Sequence, residues 1–152
     1  MILTNPNIYV SGFGPVLTQL VKENCDIYYA VGIGDSNWDL ESDKGLGNKN
    51  RSRTTLFNET FRKQVNASLE VDYLGEGDIP SEEPTNKLQL RIKFQVDEAV
   101  GDLREFGIFV ALESEDISAK DSGIMIIHEI HDKMVKTDSE VIERYVNLIL
   151  MN

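Results

Sequence analysis

Two stretches of strict alternation constrain this chain more than any other feature of it. From Val65 to Tyr73 the apolar Val65, Ala67, Leu69, Val71 and Tyr73 alternate with Asn66, Ser68, Glu70 and Asp72. From Leu88 to Asp97 the apolar Leu88, Leu90, Ile92, Phe94 and Val96 alternate with Gln89, Arg91, Lys93, Gln95 and Asp97. Successive side chains on a strand point to opposite faces, so each stretch predicts a strand with one dry and one wet face, as in antiparallel sheets. An acidic loop holding Gly75, Gly77, Pro80 and Pro84 joins the two, which are expected to be sheet neighbours.

The remaining segments fill in around that pair. Gly14-Pro15 followed by Val16, Leu17, Leu20 and Val21 predicts a helix ending near Asn24, with Pro15 at the first helical position, where a missing N–H costs nothing. Ile27 to Ile33 is apolar on both faces and rich in β-formers, which reads as a buried strand. Gly34 to Arg53 is a polar surface excursion with Trp38 as its large anchor. Leu103 to Leu112 is strand-like, with Gly107 at a bulge or a close approach. Ser114 to Ser122 is a polar turn. Gly123 to Asp132 predicts a strand with Ile124, Ile126 and Ile130 on one face and Met125 and Ile127 on the other. Ser139 to Met151 has spacing that suits a helix or a strand equally. The expected fold is mainly β, of α+β class: an antiparallel β-sandwich-like domain with one N-terminal helix packed on it, spanning residues 1–152 as a single domain.

Charge narrows the function. With 26 acidic and 15 basic residues the net charge is −11, which repels nucleic acid and anionic membrane surfaces. The densest cationic stretch, Lys49, Arg51 and Arg53, is short and reads as solvated. No apolar run reaches the roughly 20 residues of a spanning helix, and the N-terminal residues lack the charged and apolar pattern of a leader. Cys25 is the one cysteine, so no intrachain disulfide forms. A soluble, cytoplasmically made protein is expected.

The motifs that suggest chemistry each lack a part. Val31-Gly32-Ile33-Gly34-Asp35-Ser36 resembles a phosphate-cradling turn without its third glycine or a following helix. Gly34-Asp35-Ser36 resembles the serine segment of a hydrolase, with His128 or His131 as the base, but no Asp-x-x-His sequence accompanies it. His128 and His131 are three apart on a strand and so face opposite ways, unlike the helical zinc pair. Asp35, Asp39, Glu41 and Asp43 lack the spacing of a calcium loop. No catalytic residue, cofactor or metal is expected.

Three segments in order resemble the tail-collar fibre family of contractile phages, whose domain attaches a tail fibre to the baseplate. Tyr29-Ala30-Val31-Gly32-Ile33-Gly34-Asp35 is similar to its Ala-Val-Gly-x-Gly strand end. Leu56-Phe57-Asn58-Glu59-Thr60-Phe61-Arg62 is similar to its Asn-Glu…Arg segment, and Val100 to Phe109 to its Val-Gly…Arg-Glu-x-Gly-x-Phe segment. Lys133 matches a lysine in a family turn, and Tyr145 to Leu150 its closing apolar strand, which favours the strand reading there. The resemblance implies fold-determining roles for Gly32, Gly34, Asp35, Asn58, Glu59, Arg62, Arg104, Glu105, Gly107, Phe109 and Lys133, with charge-assisted hydrogen bonds fixing loop ends. It also implies a non-enzymatic subunit of a phage tail or phage-like contractile particle, present in several symmetry-related copies beside other tail, baseplate or fibre subunits. The family usually continues into a fibre shaft, whereas this sequence stops at Asn152, so an adaptor is expected. Two other readings stand beside it: a sandwich-type module that binds protein or carbohydrate, and a small serine hydrolase.

Overall fold

The computed structural model describes residues 10–40, 52–112 and 115–150. Helix α1 (Phe13–Asn24) leads into β1 (Cys25–Gly32), and a 3-10 turn follows at Ser36–Leu40. Next come β2 (Glu59–Val65), one helical turn at Ala67–Glu70, β3 (Val71–Leu74) and the two-residue β4 (Pro80–Ser81). The chain continues as β5 (Lys87–Phe94), β6 (Gly101–Leu112), β7 (Ile124–Lys136) and β8 (Ile142–Ile149). The strands form two antiparallel sheets of four, ordered β2-β1-β6-β7 and β4-β3-β5-β8, so the expected mainly β, sandwich-like architecture is present.

The core lies between the sheets. Ile27, Tyr29, Val31, Leu103, Phe106 and Ile108 from one sheet meet Val71, Tyr73, Leu88, Leu90, Ile92, Phe94, Val146 and Leu148 from the other. Alternation in β5 places Leu88, Leu90, Ile92 and Phe94 inward and leaves Arg91 and Lys93 exposed, as expected. Each buried side chain of this size contributes about 1.5–3 kcal/mol relative to exposure. Rings fill the centre: Tyr29 lies 5.3 Å from Phe94 and is stacked 5.4 Å from Phe106. A second, smaller cluster of Ala30, Leu56, Phe109, Ala111 and Ile117 covers the opposite face of the β1–β6 sheet. The segment expected to be a polar turn therefore contains a fully buried anchor, Ile117.

Four expectations need correction. Val65–Tyr73 is not one strand. Asn66 interrupts it: its side chain accepts a hydrogen bond from Ser68 N at 3.1 Å, and Glu70 reaches back to Asn66 N at 2.8 Å. Lys22 clamps the turn by donating to Ala67 O and Val71 O at 2.7 and 2.8 Å. Val65 thus ends a strand of one sheet, Val71 begins a strand of the other, and Leu69 between them is exposed. The pairing of β3 with β5, Val71 opposite Leu90, is as expected for the remainder.

In β7 the simple two-face pattern fails, because the ladder to β6 shifts register twice. Ile124 and Ile126 are exposed while Ile130 is buried. Lys133, expected in a turn, lies inside β7 with its ammonium 4.0 Å from Asp102. The buried lysine is Lys136, whose ammonium donates to Val96 O, Thr137 O and Glu140 O at 3.2, 3.1 and 2.8 Å, tying two inter-sheet turns together. Pro15 is the third helical residue of α1, still within the first turn. The ambiguous C-terminal segment is a strand, β8. The charged part of the Gly34–Arg53 excursion, with Glu41, Asp43, Lys49 and Arg51, lies outside the described residues.

Candidate functional site

On the side of the β1–β6 sheet away from the core, the segments that carried the resemblance meet. Its centre is Glu105, whose side chain is fully buried. One carboxylate oxygen accepts from Asn58 N at 2.7 Å; the other accepts from Phe57 N at 2.9 Å and lies 3.0 Å from His128 Nε2. Burial pushes the Glu105 carboxyl up, but the His128 hydrogen bond and the Asn58 and Phe57 N–H groups outweigh it and hold it below the ordinary range. Gly32 makes room for this contact. A Cβ there would stand 2.4 Å from Asn58 O and 2.6 Å from Glu105 Oε1. Gly107 is a close approach too: a Cβ would lie 3.0 Å from Ile127 O and from Leu56 Cδ2.

Beside it, Glu59 and Arg62 form a buried fork. Arg62 Nε donates to one Glu59 oxygen at 2.9 Å and Nη2 to the other at 2.6 Å. Arg62 Nη1 reaches out of its strand to Ile117 O and Ser122 O at 2.7 and 3.0 Å, and the guanidinium lies 4.5 Å over the buried Phe109 ring. Arginine suits this position because its planar donors satisfy a carboxylate and two carbonyls at once. The 115–123 loop is thereby pinned over the outer cluster.

A second fork holds the excursion after β1. Arg104 donates from Nε and Nη2 to the two oxygens of Asp39 at 2.9 and 2.8 Å and from Nη1 to Ile33 O at 3.1 Å. The Asp39 hydrogen bond raises the Arg104 pKa still further, so this charge is fixed. Asp35 starts the intervening turn by accepting Asn37 N at 2.9 Å, and its carbonyl accepts Trp38 N at 3.0 Å. Gly34 has φ +59°, and the Trp38 ring occupies the space a Cβ would need. Trp38 in turn meets Phe57 edge-on at 5.4 Å, with the Arg53 guanidinium 5.6 Å over that Phe57 ring.

The structure therefore brings Gly32, Asn58, Glu59, Arg62, Arg104, Glu105, Gly107 and Phe109 into one interlocked network with Gly34 and Asp35 at its margin. Lys133 stands apart on β7. Sequence reasoning missed Asp39 as the partner of Arg104 and His128 as the partner of Glu105. A carboxylate and an imidazole 23 residues apart carry no local signal of contact. His128 and His131 do face opposite ways: His128 turns to Glu105, while His131 lies 6.3 Å from the Phe106 ring in the core-facing layer. Ser36 sits exposed at the start of the 3-10 turn, and His128 Nε2 is held by Glu105. Among the described residues no group of three His, Cys, Asp or Glu side chains is arranged to hold a metal. Burial and the neighbouring Asp26 push the Cys25 thiol up, away from the thiolate form. Among those residues no helix is long and apolar enough to cross a membrane.

What this arrangement does chemically is lock backbone. Arg104 and Glu105 tie the segments after β1 and before β2 to β6, and the Arg62–Glu59 fork on β2 holds the 115–123 loop. No protein-family model matches the chain, and none of the curated proteins searched matches it.

Proposed function

We propose that this chain is a non-enzymatic structural subunit of a phage tail or phage-like contractile injection particle, acting where a fibre or neighbouring protein joins the baseplate. The observation that supports the reading is the convergence of the three family-like segments on Glu105. Residues from 32 to 109 in the sequence meet in contacts that Gly32, Asn58 and Glu105 make with one another. A network that spends its charges on its own backbone suits a rigid part better than a reactive centre, since catalytic groups must keep a face free for substrate. Rigid parts repeated by symmetry gain strength from many modest contacts.

Sheathed particles isolated from the producing cell should contain the chain by mass spectrometry, and deleting its gene should leave tube and sheath assembled without the peripheral baseplate or fibre component. Particles that lack the chain overturn the reading.

A second reading, a free-standing module that binds protein or carbohydrate, draws on the exposed Phe57 (55% exposed) with the half-buried Trp38 and Arg53 packed against its ring. Aromatic and arginine side chains dominate binding hot spots. Under that reading Trp38→Ala abolishes capture of a glycan or protein target while leaving the sheets intact.

A further inference from the structure

Four strands end the two sheets: β2 and β7 in one, β4 and β8 in the other. An edge strand offers unpaired N–H and C=O groups to any passing strand, and folded proteins blunt such edges with shortness, bulges or outward charge. β4 is two residues long. β7 is bent by two register shifts. On β2 the buried Arg62 holds the 115–123 loop, and the ladder to β1 shifts between Val31 and Gly32. β8 is neither short nor bulged: eight residues run in unbroken register with β5, and its one outward charge is the exposed Glu143. Of its two charges, Arg144 turns inward, 3.6 Å over the Phe106 ring and 3.0 Å from Glu129. Among the described residues no strand pairs with its other side.

One hydrogen bond shows which backbone groups are free. Leu150 N donates to Asn86 O at 2.8 Å, continuing the register that sets Lys87 opposite Ile149. Bonded and non-bonded pairs alternate along an antiparallel ladder. Arg144, Val146 and Leu148 therefore spend their N–H and C=O groups on β5, while Glu143, Tyr145, Asn147 and Ile149 turn theirs to the open edge.

The side chains on that edge are self-complementary. Val141, Tyr145 and Ile149 are 48, 56 and 51% exposed and lie four residues apart, symmetrically about Tyr145. We propose that β8 is the docking edge for a second copy of this chain, which adds antiparallel across a two-fold axis at Tyr145. That register pairs Val141 with Ile149 at both ends, Tyr145 with Tyr145 at the centre and Glu143 with Asn147 between them. Every exposed apolar side chain meets an apolar one, and no like charges stand opposite. The free groups of residues 143, 145 and 147 all find partners, and the two four-stranded sheets join into one. The isologous geometry closes at two copies, so it yields dimers and not fibres. Two bodies of net charge −11 repel, but Lys87, Arg91 and Lys93 on β5 lie beside the seam and reduce the local repulsion.

The test is sedimentation of the full chain over an about hundredfold concentration range, with the 17.2 kDa monomer as reference. The wild type should shift toward twice that mass as concentration rises, and added salt should increase the shift by screening the like net charges. Tyr145→Lys, which sets two ammonium groups face to face, and Asn147→Pro, which removes a free edge N–H, should both sediment as monomers with an unchanged far-UV spectrum. Should Asn147→Pro fail to fold, Tyr145→Lys carries the comparison, because its side chain lies on the solvent face. In a Cys25→Ser background, Tyr145→Cys should give a covalent dimer on mild oxidation, and Gln89→Cys, one strand inward, should not. A wild type that stays monomeric throughout, a dimer indifferent to both edge variants, or a Tyr145→Cys chain that does not cross-link overturns the proposal. None of these outcomes bears on whether the chain is found in a contractile particle.

Discussion

Replacing Glu105 by alanine tests the central claim that one buried carboxylate locks the Leu56–Asn58 segment onto the β6 strand. The substitution leaves Phe57 N, Asn58 N and the His128 ring without their acceptor. A buried donor stripped of its partner costs about 1–3 kcal/mol, so three give about 3–9 kcal/mol before relief. Removing a buried charge returns part of its desolvation cost, which brings the expected loss to about 3–5 kcal/mol, the range for breaking a buried ion pair. With a urea slope of about 2 kcal/mol/M for a chain of this size, the midpoint should fall by about 1.5–2.5 M. Trp38, the single tryptophan, packs on Phe57 and reports the locked segment by fluorescence, while far-UV circular dichroism reports the sheets. In the wild type the two transitions should coincide. A midpoint shift below about 0.5 M would mean that the three donors reach water in the variant, and that the carboxylate does not hold the segment.

Three further outcomes follow from the same packing. The folded-state pKa of Glu105 and of Glu98 lies below the ordinary carboxylate value, so their stabilisation is complete above the unfolded value of about 4.3 and is lost as pH falls through the folded one; the urea midpoint should drop steeply below about pH 4, and less steeply in Glu105→Gln. An equal acid slope in the two proteins contradicts the assignment. Ile92→Asp buries an unpaired charge at a position 3% exposed and should prevent folding or cost more than about 4 kcal/mol, whereas Lys93→Asp on the wet face should cost under about 1 kcal/mol, both read from urea midpoints. Lys136→Met keeps the stem but leaves three carbonyls without their donor, and thermal melting should reveal a loss of about 2–4 kcal/mol; an unchanged melt would show that these carbonyls are hydrated.

The alternation of Leu88 to Phe94 determined a strand, its inward face and its place in an antiparallel sheet, because a period of two reports burial directly. The apolar run from Ile27 likewise declared a buried strand, and Asn58, Glu59, Arg62, Arg104 and Glu105 were legible as loop-fixing polar groups beside apolar strand ends, though not who pairs with whom. The same period misled at Val65–Tyr73. There a local capping exchange between Asn66 and Glu70, reinforced by Lys22 from the distant helix, broke the strand and sent its halves to different sheets. Register shifts in β7 scrambled its faces, since a bulge adds one residue to the count and exchanges in for out. Which partner each charge takes was decided by tertiary structure alone: Asp39 meets Arg104 across 65 residues and His128 meets Glu105 across 23. A hydrogen bond of about 3 Å depends on where the fold brings two atoms, and sequence separation sets no term in its energy. The chain's pattern of apolar and polar residues thus chose strands and faces, and the packing of two sheets chose which buried charges could afford to exist.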